Sequence, residues 1–429
     1  MLDKYFGLKE HGTTVRTEIV AGCTTFLTMA YIMFVNPLIL GDAGMDRGAV
    51  FVATCVGTAI GTLLMGLYAN YPLALAPGMG LNAYFTYGVV KGMHYSWEVA
   101  LGAVLISGVL FLILSLLHLR EWIVDAIPPS LKMAISAGIG LFLGIIALKN
   151  AGIVVGSPDT LVTMGDVKAA PTILAICGFL LIVALDARRV PGAIIISVLT
   201  VTAVGVAFGV SPFAGIAAPP PSLAPTFLKL DLKGATDIGL VAIIFAFFFV
   251  DLFDNTGTLV AVAHRAGLIA PDGKIPRLNR IFIADSVATI CGSLLGTSTV
   301  TSYIESASGV RAGGRTGLVG VVVAVLFLLS LFFSPLAGTV AAYATAPALL
   351  YVACLMARGL VDIDWDDPTE YAPAVITAIA MPLTFSIATG IAFGFILYAA
   401  AKLLAGKMAS LSPALAILAL LFLAKFVLL

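Results

Sequence analysis

Apolar runs of bilayer-crossing length recur along almost the whole chain, separated by short polar connections. A transmembrane helix needs about 20 consecutive, mostly apolar residues. Runs of this kind lie near 17–40, 48–69, 97–116, 130–148, 169–186, 190–210, 235–263, 281–296, 316–338, 341–360, 370–404 and 408–428. The 370–404 run is too long for one ordinary span and contains Pro382, so it predicts one kinked helix or two short elements. Two further stretches, 73–92 and 297–312, are apolar enough for burial but rich in Gly, Pro, Ser and Thr. The pattern predicts an all-α polytopic membrane protein with about 12 to 14 elements.

Composition excludes a soluble globule. Of 429 residues, 60% are hydrophobic and 11% charged, against about 25% charged in ordinary soluble domains. The formal net charge is zero and no long basic tract occurs, so no nucleic-acid partner is expected. The five cysteines form no CxxC or Cys/His cluster, which predicts neither a metal site nor a disulfide framework. They read as small buried hydrophobes. Residues 1–16 are polar and lack a cleavable-signal pattern, so the first run reads as a retained helix.

Charge placement orients the chain. If 14 elements alternate, fourteen Lys and Arg, among them Lys4, Arg16, Arg120, Lys274 and Arg358, share the side of the N-terminus. Six (Arg47, Lys91, Lys149, Lys168, Lys229 and Lys233) fall on the other. This bias predicts cytoplasmic N- and C-termini.

The two irregular stretches hold matching places. Each follows two crossings in its half, and each ends near a polar residue, Asn82 or Glu305. Their separation suggests a duplicated unit of seven elements, inverted because seven is odd. Interrupted segments at corresponding positions point to a transporter's binding site, since irregular backbone at membrane depth must be buried in protein or line a cavity.

Candidate chemistry concentrates nearby. Asp251 and Asp254 sit inside the apolar run 235–263 at i and i+3, one face of a regular helix. Glu305 is a third acid in apolar surroundings, and no Lys or Arg lies within either apolar core. Intramembrane carboxylates are costly and usually face a bundle interior or wet cavity. They suit proton coupling or hydrogen bonding to a polar substrate, although caps and helix ties are the plainer alternative. Asn82 offers an amide donor and acceptor, as the edge of a nitrogen heterocycle requires. Gly78 and Gly80 permit close backbone approach. Thr301 and Ser302 supply hydroxyls or merely join helices. Asp285 reads as a supporting acid, paired with a base or neighbouring helix.

Other features read as structural. Arg16 and Glu18 are expected to anchor the membrane interface, and Asn36-Pro37 to mark a helix break. Phe247, Phe248 and Phe249 are consecutive and cannot all face one cavity. His264 and Arg265 complement a helix C-terminus. The acidic run Asp362, Asp364, Asp366 and Asp367 lacks the glycine and terminal Glu of a calcium loop.

Four motifs carry a family resemblance: Thr17–Pro37 (TEIVAGCTTFLTMAYIMFVNP), Ala76–Phe85 (APGMGLNAYF), Phe249–Thr258 (FVDLFDNTGT) and Thr301–Val310 (TSYIESASGV). In this order they closely resemble the AzgA-like purine permeases of the nucleobase–cation symporter-2 family. The resemblance implies 14 transmembrane segments in two inverted seven-segment repeats, with short extended stretches in segments 3 and 10. It implies a core domain (17–116 and 235–338) and a gate domain (130–210 and 341–428). Substrate would lie between segments 3 and 10, near segment 8. Asp254, which directly precedes Asn-Thr-Gly-Thr, takes the place of the segment-eight acid, where uracil and xanthine members carry Glu. Glu305 takes that of the segment-ten acid, and Gly80 and Asn82 those of the segment-three Gly and Asn.

The resemblance implies import of adenine, guanine or hypoxanthine by proton symport and alternating access at the cell membrane, not enzymatic activity. Asp254 or Glu305 would carry the proton, and no cofactor or metal is called for. The half-helices of segments 3 and 10 would aim their N-terminal dipoles at the ligand. A dimer through the gate domain is also implied, while a monomer satisfies every local argument. A uracil or xanthine permease is the nearest alternative. An anion transporter of the same architecture is disfavoured by two acids at the cavity.

Overall fold

A computed structural model describes residues 2–117, 127–236, 240–269, 275–408 and 411–428. Arg120 and Lys274 lie outside the described residues. A short α1 (Leu2–Phe6) precedes α2 (Val15–Met29), α3 (Ile32–Asp42) and α4 (Arg47–Leu64). An extended segment β1 (Leu75–Pro77) leads into α5 (Met79–Ala83), which continues as a π-helix over Tyr84–Gly92. Then come α6 (Trp97–Leu116), α7 (Pro129–Asn150), a hairpin of β2 (Val154–Ser157) and β3 (Leu161–Met164), α8 (Ala170–Ala187), α9 (Ala193–Ala207) and the single turn α10 (Leu232–Ala235).

The second half follows the same order. Helices α11 (Val241–Ala266) and α12 (Leu278–Leu295) precede β4 (Val300–Ser302) and α13 (Ser306–Arg311). After them come α14 (Leu318–Ser330), α15 (Ser334–Thr339), α16 (Ala342–Ala357), α17 (Pro368–Thr384), α18 (Ile387–Leu404) and α19 (Pro413–Leu428). Among the described residues, ten helices are long and apolar enough to cross a membrane, with shorter apolar helices at Ala193–Ala207 and Pro413–Ala424. The chain is a multi-pass, all-α membrane protein.

Caps set several boundaries. Asp46, Ser96 and Ser386 accept hydrogen bonds from the first-turn amides of Ala49, Val99 and Thr389, satisfying groups that lipid cannot. The 370–404 run divides into α17 and α18 where Phe385 adopts a left-handed conformation (φ 48°). Counting the interrupted strands as elements, α11 to α18 complete a second set of seven, and α19 follows them, packed on α18. The end of the fourteenth element therefore moves back to Leu404.

Other expectations change too. Segment one breaks at Ala30–Tyr31, and Pro37 lies inside α3. Asn36 is fully buried and donates to Thr54 and Thr297 at 2.7 and 2.9 Å. Glu18, expected at the interface, is also fully buried. It accepts from the Arg315 amide (2.8 Å) and the Thr316 hydroxyl (2.7 Å), tying α2 to the approach of α14. Cys177 and Cys354 are exposed rather than buried, because they lie on outward faces of lipid-length helices.

Helices pack in two groups. In one, α2–α6 and α11–α14 surround the strand pair; in the other, α7, α8 and α9 pack with α16, α17 and α18. Small residues bring backbones together. A Cβ on Gly317 would stand 1.9 Å from the Gly66 carbonyl oxygen, so only glycine admits this contact.

Candidate functional site

The centre of the molecule is the antiparallel meeting of β1 and β4, which joins the two halves of the chain. Leu75 faces Ser302, Ala76 faces Thr301 and Pro77 faces Val300. The Gly78 amide donates to the Thr299 carbonyl and the Tyr303 amide to that of Ala74, both at 2.9 Å. Extended backbone at membrane depth is tolerable because the two segments satisfy each other's polar groups. The Tyr303 hydroxyl donates to the Pro77 carbonyl (2.6 Å), and the Ala74 amide to the Ser306 hydroxyl (3.0 Å).

Two acids arrive from different elements. Asp254 comes from the middle of α11, and Glu305 occupies the residue before α13. Both are half-buried, whereas Asp251, one turn earlier, is 1% exposed. Asp251 and Glu305 both lie within electrostatic reach of Asp254. Among the described residues, neither Asp254 nor Glu305 has an ion pair with Lys, Arg or His. Glu305 Oε1 instead accepts from the Tyr31 hydroxyl at 2.7 Å.

Sequence-predicted residues gather here unevenly. A Cβ on Gly78 would lie 2.9 Å from Thr301 Cγ2 and 3.9 Å from Asp254 Oδ2, so Gly78 opens space beside the segment-eight acid. Ser302 donates to Asn255 Oδ1 at 3.1 Å. Asn82 is fully buried, with its amide nitrogen 3.5 Å from the Pro77 carbonyl. Gly80 faces the other way, where a Cβ would meet Ile139 Cγ2 on α7 at 2.4 Å. Its missing side chain admits a helix, not Asp254. Asp285 is buried on α12, which packs on α4 and α6.

Polar capacity remains at the crossing. Asn82 Oδ1, Asn255 Nδ2 and the hydroxyls of Thr299 and Thr301 are buried without a hydrogen-bond partner among the described residues. Such groups are costly unless another molecule satisfies them. The expected dipole contribution is weaker at α13, which has only six residues, because a macrodipole needs several aligned turns.

Exposure varies along α11, and Val241 and Phe245 at its start are exposed. Toward Val241, Phe247, Phe248 and Phe249 are all buried, contrary to any lipid-facing role. They pack on Tyr84, Phe111 and Phe395 respectively. Toward Arg265, Gly257 is exposed with nothing within 4 Å of a Cβ, and Val260 and His264 are exposed too. Of these, Gly257 is the neighbour of Asp254 on the next turn.

Residues that sequence reasoning missed are Tyr31 and Asn255 as partners of Glu305 and Ser302. Both stand within the quoted motifs, and a hydroxyl or amide in an apolar run was the available signal.

Comparison with known proteins completes the assignment. The sequence model of a group described as "Permease family" matches residues 16–393. The adenine permease AdeP of Escherichia coli is 49% identical, covering 100% of this chain and 96% of that protein. The guanine/hypoxanthine permease PbuG of Bacillus subtilis is 46% identical, covering 95% and 96%. The transmembrane domain of the cyanobacterial bicarbonate transporter BicA superposes with a TM-score of 0.65 at 16% identity, covering 86% of this chain and 96% of that one; this likeness concerns the seven-plus-seven inverted-repeat fold alone. With end-to-end similarity to such permeases and an uninterrupted family match, the chain belongs to the nucleobase–cation symporter-2 family, in its AzgA-like purine permease branch.

Proposed function

We propose that the protein imports purine nucleobases by proton symport. The carrying observation is the convergence of Asp254 and Glu305, with no cationic partner, beside the strand crossing and its unsatisfied amides and hydroxyls. The adenine and guanine/hypoxanthine permeases among its relatives support the cargo. Asp254 and Glu305 accept N–H groups of the ring, and one of them gains and loses the coupled proton. Asn82, Thr301 and Ser302 supply further polar contacts, while Gly78 lets the base approach backbone. Asp251 supports Asp254 electrostatically. Gly80 keeps the segment-three arm in contact with α7, and Asp285 acts at a distance through α12.

In this reading, residues 17–116 and 235–338 form the core domain, and 130–210 and 341–428 the gate domain. The gate moves against the core about contacts such as Gly80–Ile139. In this reading the N- and C-termini lie on the cytoplasmic side, supported by the excess of positive charge there. A homodimer through the gate domain is part of the proposal, tested by mass measurement of the purified protein in lipid.

The deciding experiment is uptake of radiolabelled adenine, guanine, hypoxanthine and uracil by cells lacking their own permeases, with and without a proton uncoupler. Uncoupler-sensitive accumulation of purines but not uracil is expected. Asp254→Asn combined with Glu305→Gln is expected to lower uptake at least about 100-fold. Unchanged uptake and pH dependence in that double variant would overturn the assignment.

A further inference from the structure

We infer that Tyr31 is a positioning residue for Glu305, setting which carboxylate oxygen is offered to the purine. The inference rests on the proposed role of Glu305. Tyr31 is fully buried at the break between α2 and α3, and its hydroxyl reaches Glu305 Oε1 at 2.7 Å. The Thr28 hydroxyl of the same stretch donates to the Thr25 carbonyl at 2.8 Å, with the Glu305 carbonyl oxygen farther off at 3.4 Å. Segment one thus lies against this acid and holds its side chain through Tyr31.

Close packing makes that hold stiff. A Cβ on Gly309 would stand 2.1 Å from Thr25 Oγ1 and 2.7 Å from the Ala21 carbonyl, so α13 lies against α2 with no room to shift. With Oε1 engaged by the phenol, Oε2 is left for a ring N–H. A carboxylate free to rotate about its terminal torsion would lose that preference, since this torsion is broad.

Tyr31→Phe removes only the hydroxyl. Purine binding to purified, folded protein is expected to weaken about tenfold, the usual scale for losing one hydrogen bond to a charged group. Uptake should show the loss as a raised KM with maximal velocity within about twofold of wild type. The decisive readout is a double-variant cycle with Glu305→Gln and radiolabelled adenine, guanine and hypoxanthine as probes. If Tyr31 acts through Glu305, Tyr31→Phe adds little further loss in the Glu305→Gln background. Wild-type affinity in Tyr31→Phe, fully multiplicative losses, or a Tyr31→Phe protein that fails to fold would each overturn positioning. If Glu305→Gln itself binds purines as well as wild type, the failure lies with the assigned role of Glu305 instead.

Discussion

Two polar clusters inside this membrane protein are built on opposite terms. Where α7, α17 and α18 meet, Lys402 is 2% exposed and pairs with Glu370 at 2.6 Å. Its ammonium also donates to Thr369 (2.7 Å), while Glu370 accepts from Tyr398 (2.8 Å) and from the hydroxyl of Ser130. Lys407 pairs with Asp367 at 2.6 Å. Two cations and two acids balance, and each charge has partners. At the strand crossing, acids meet acids, and several neighbouring amide and hydroxyl groups lack partners among the described residues. The saturated cluster ties helices together, whereas the unsaturated one retains hydrogen-bonding capacity for cargo.

This contrast separates stability from transport. Lys402→Met leaves Glu370 as an uncompensated acid and should destabilise the protein by about 3 kcal/mol, read as a lower Tm of purified protein. Lys402→Met with Glu370→Met should recover much of the loss, because an apolar pair can replace a buried ion pair. Asp254→Asn should do the reverse, keeping or raising Tm while uptake falls at least about 100-fold. A Lys402→Met protein of unchanged Tm would remove the distinction.

Smaller effects test how the clusters connect to motion. Gly80→Ala should lower uptake about tenfold through overpacking against Ile139, and Ile139→Ala in the same chain should restore it. Elsewhere between the helix groups, Tyr87 donates to Asp42 Oδ2 at 2.8 Å, and both line a small cavity together with Asn150 at the end of α7. Asn150→Ala should loosen this link between the helix groups and change uptake by about twofold to fivefold.

The smallest effect concerns pH. Lys407 beside Asp367, with help from Thr369, holds the Asp367 carboxyl below its usual range. Its contribution to stability is therefore present above the ordinary carboxylate pKa and lost as pH falls through and below that range. Lys407→Ala should make thermal stability less dependent on acid pH, and salt should weaken the wild-type pair.

Local pattern made much of this readable beforehand. Apolar length disclosed the crossings, and the glycine- and hydroxyl-rich interruptions disclosed β1 and β4, because a helix cannot run through such chemistry without compensation. Asp254 and Glu305 stood out since an acid in an apolar run is expensive wherever it lies. The Lys402 cluster did not stand out: its members are separated by up to 277 positions, from Ser130 to Lys407, and each alone resembles a membrane-edge charge. Glu18 misled for the same reason, because its partners at Arg315 and Thr316 come from the other half of the chain.

The sequence by itself determined that this chain lives in a membrane, repeats a seven-element pattern, and interrupts it twice, near Asn82 and near Glu305. These follow from hydropathy and helix propensity, which act over one turn or one span. Only the tertiary structure decided that Gly78 rather than Gly80 adjoins Asp254, that Tyr31 holds Glu305, and that Phe385 divides the long apolar run into two helices. Those outcomes depend on which faces of remote segments come within hydrogen-bonding or van der Waals distance, a matter of packing that no local pattern specifies.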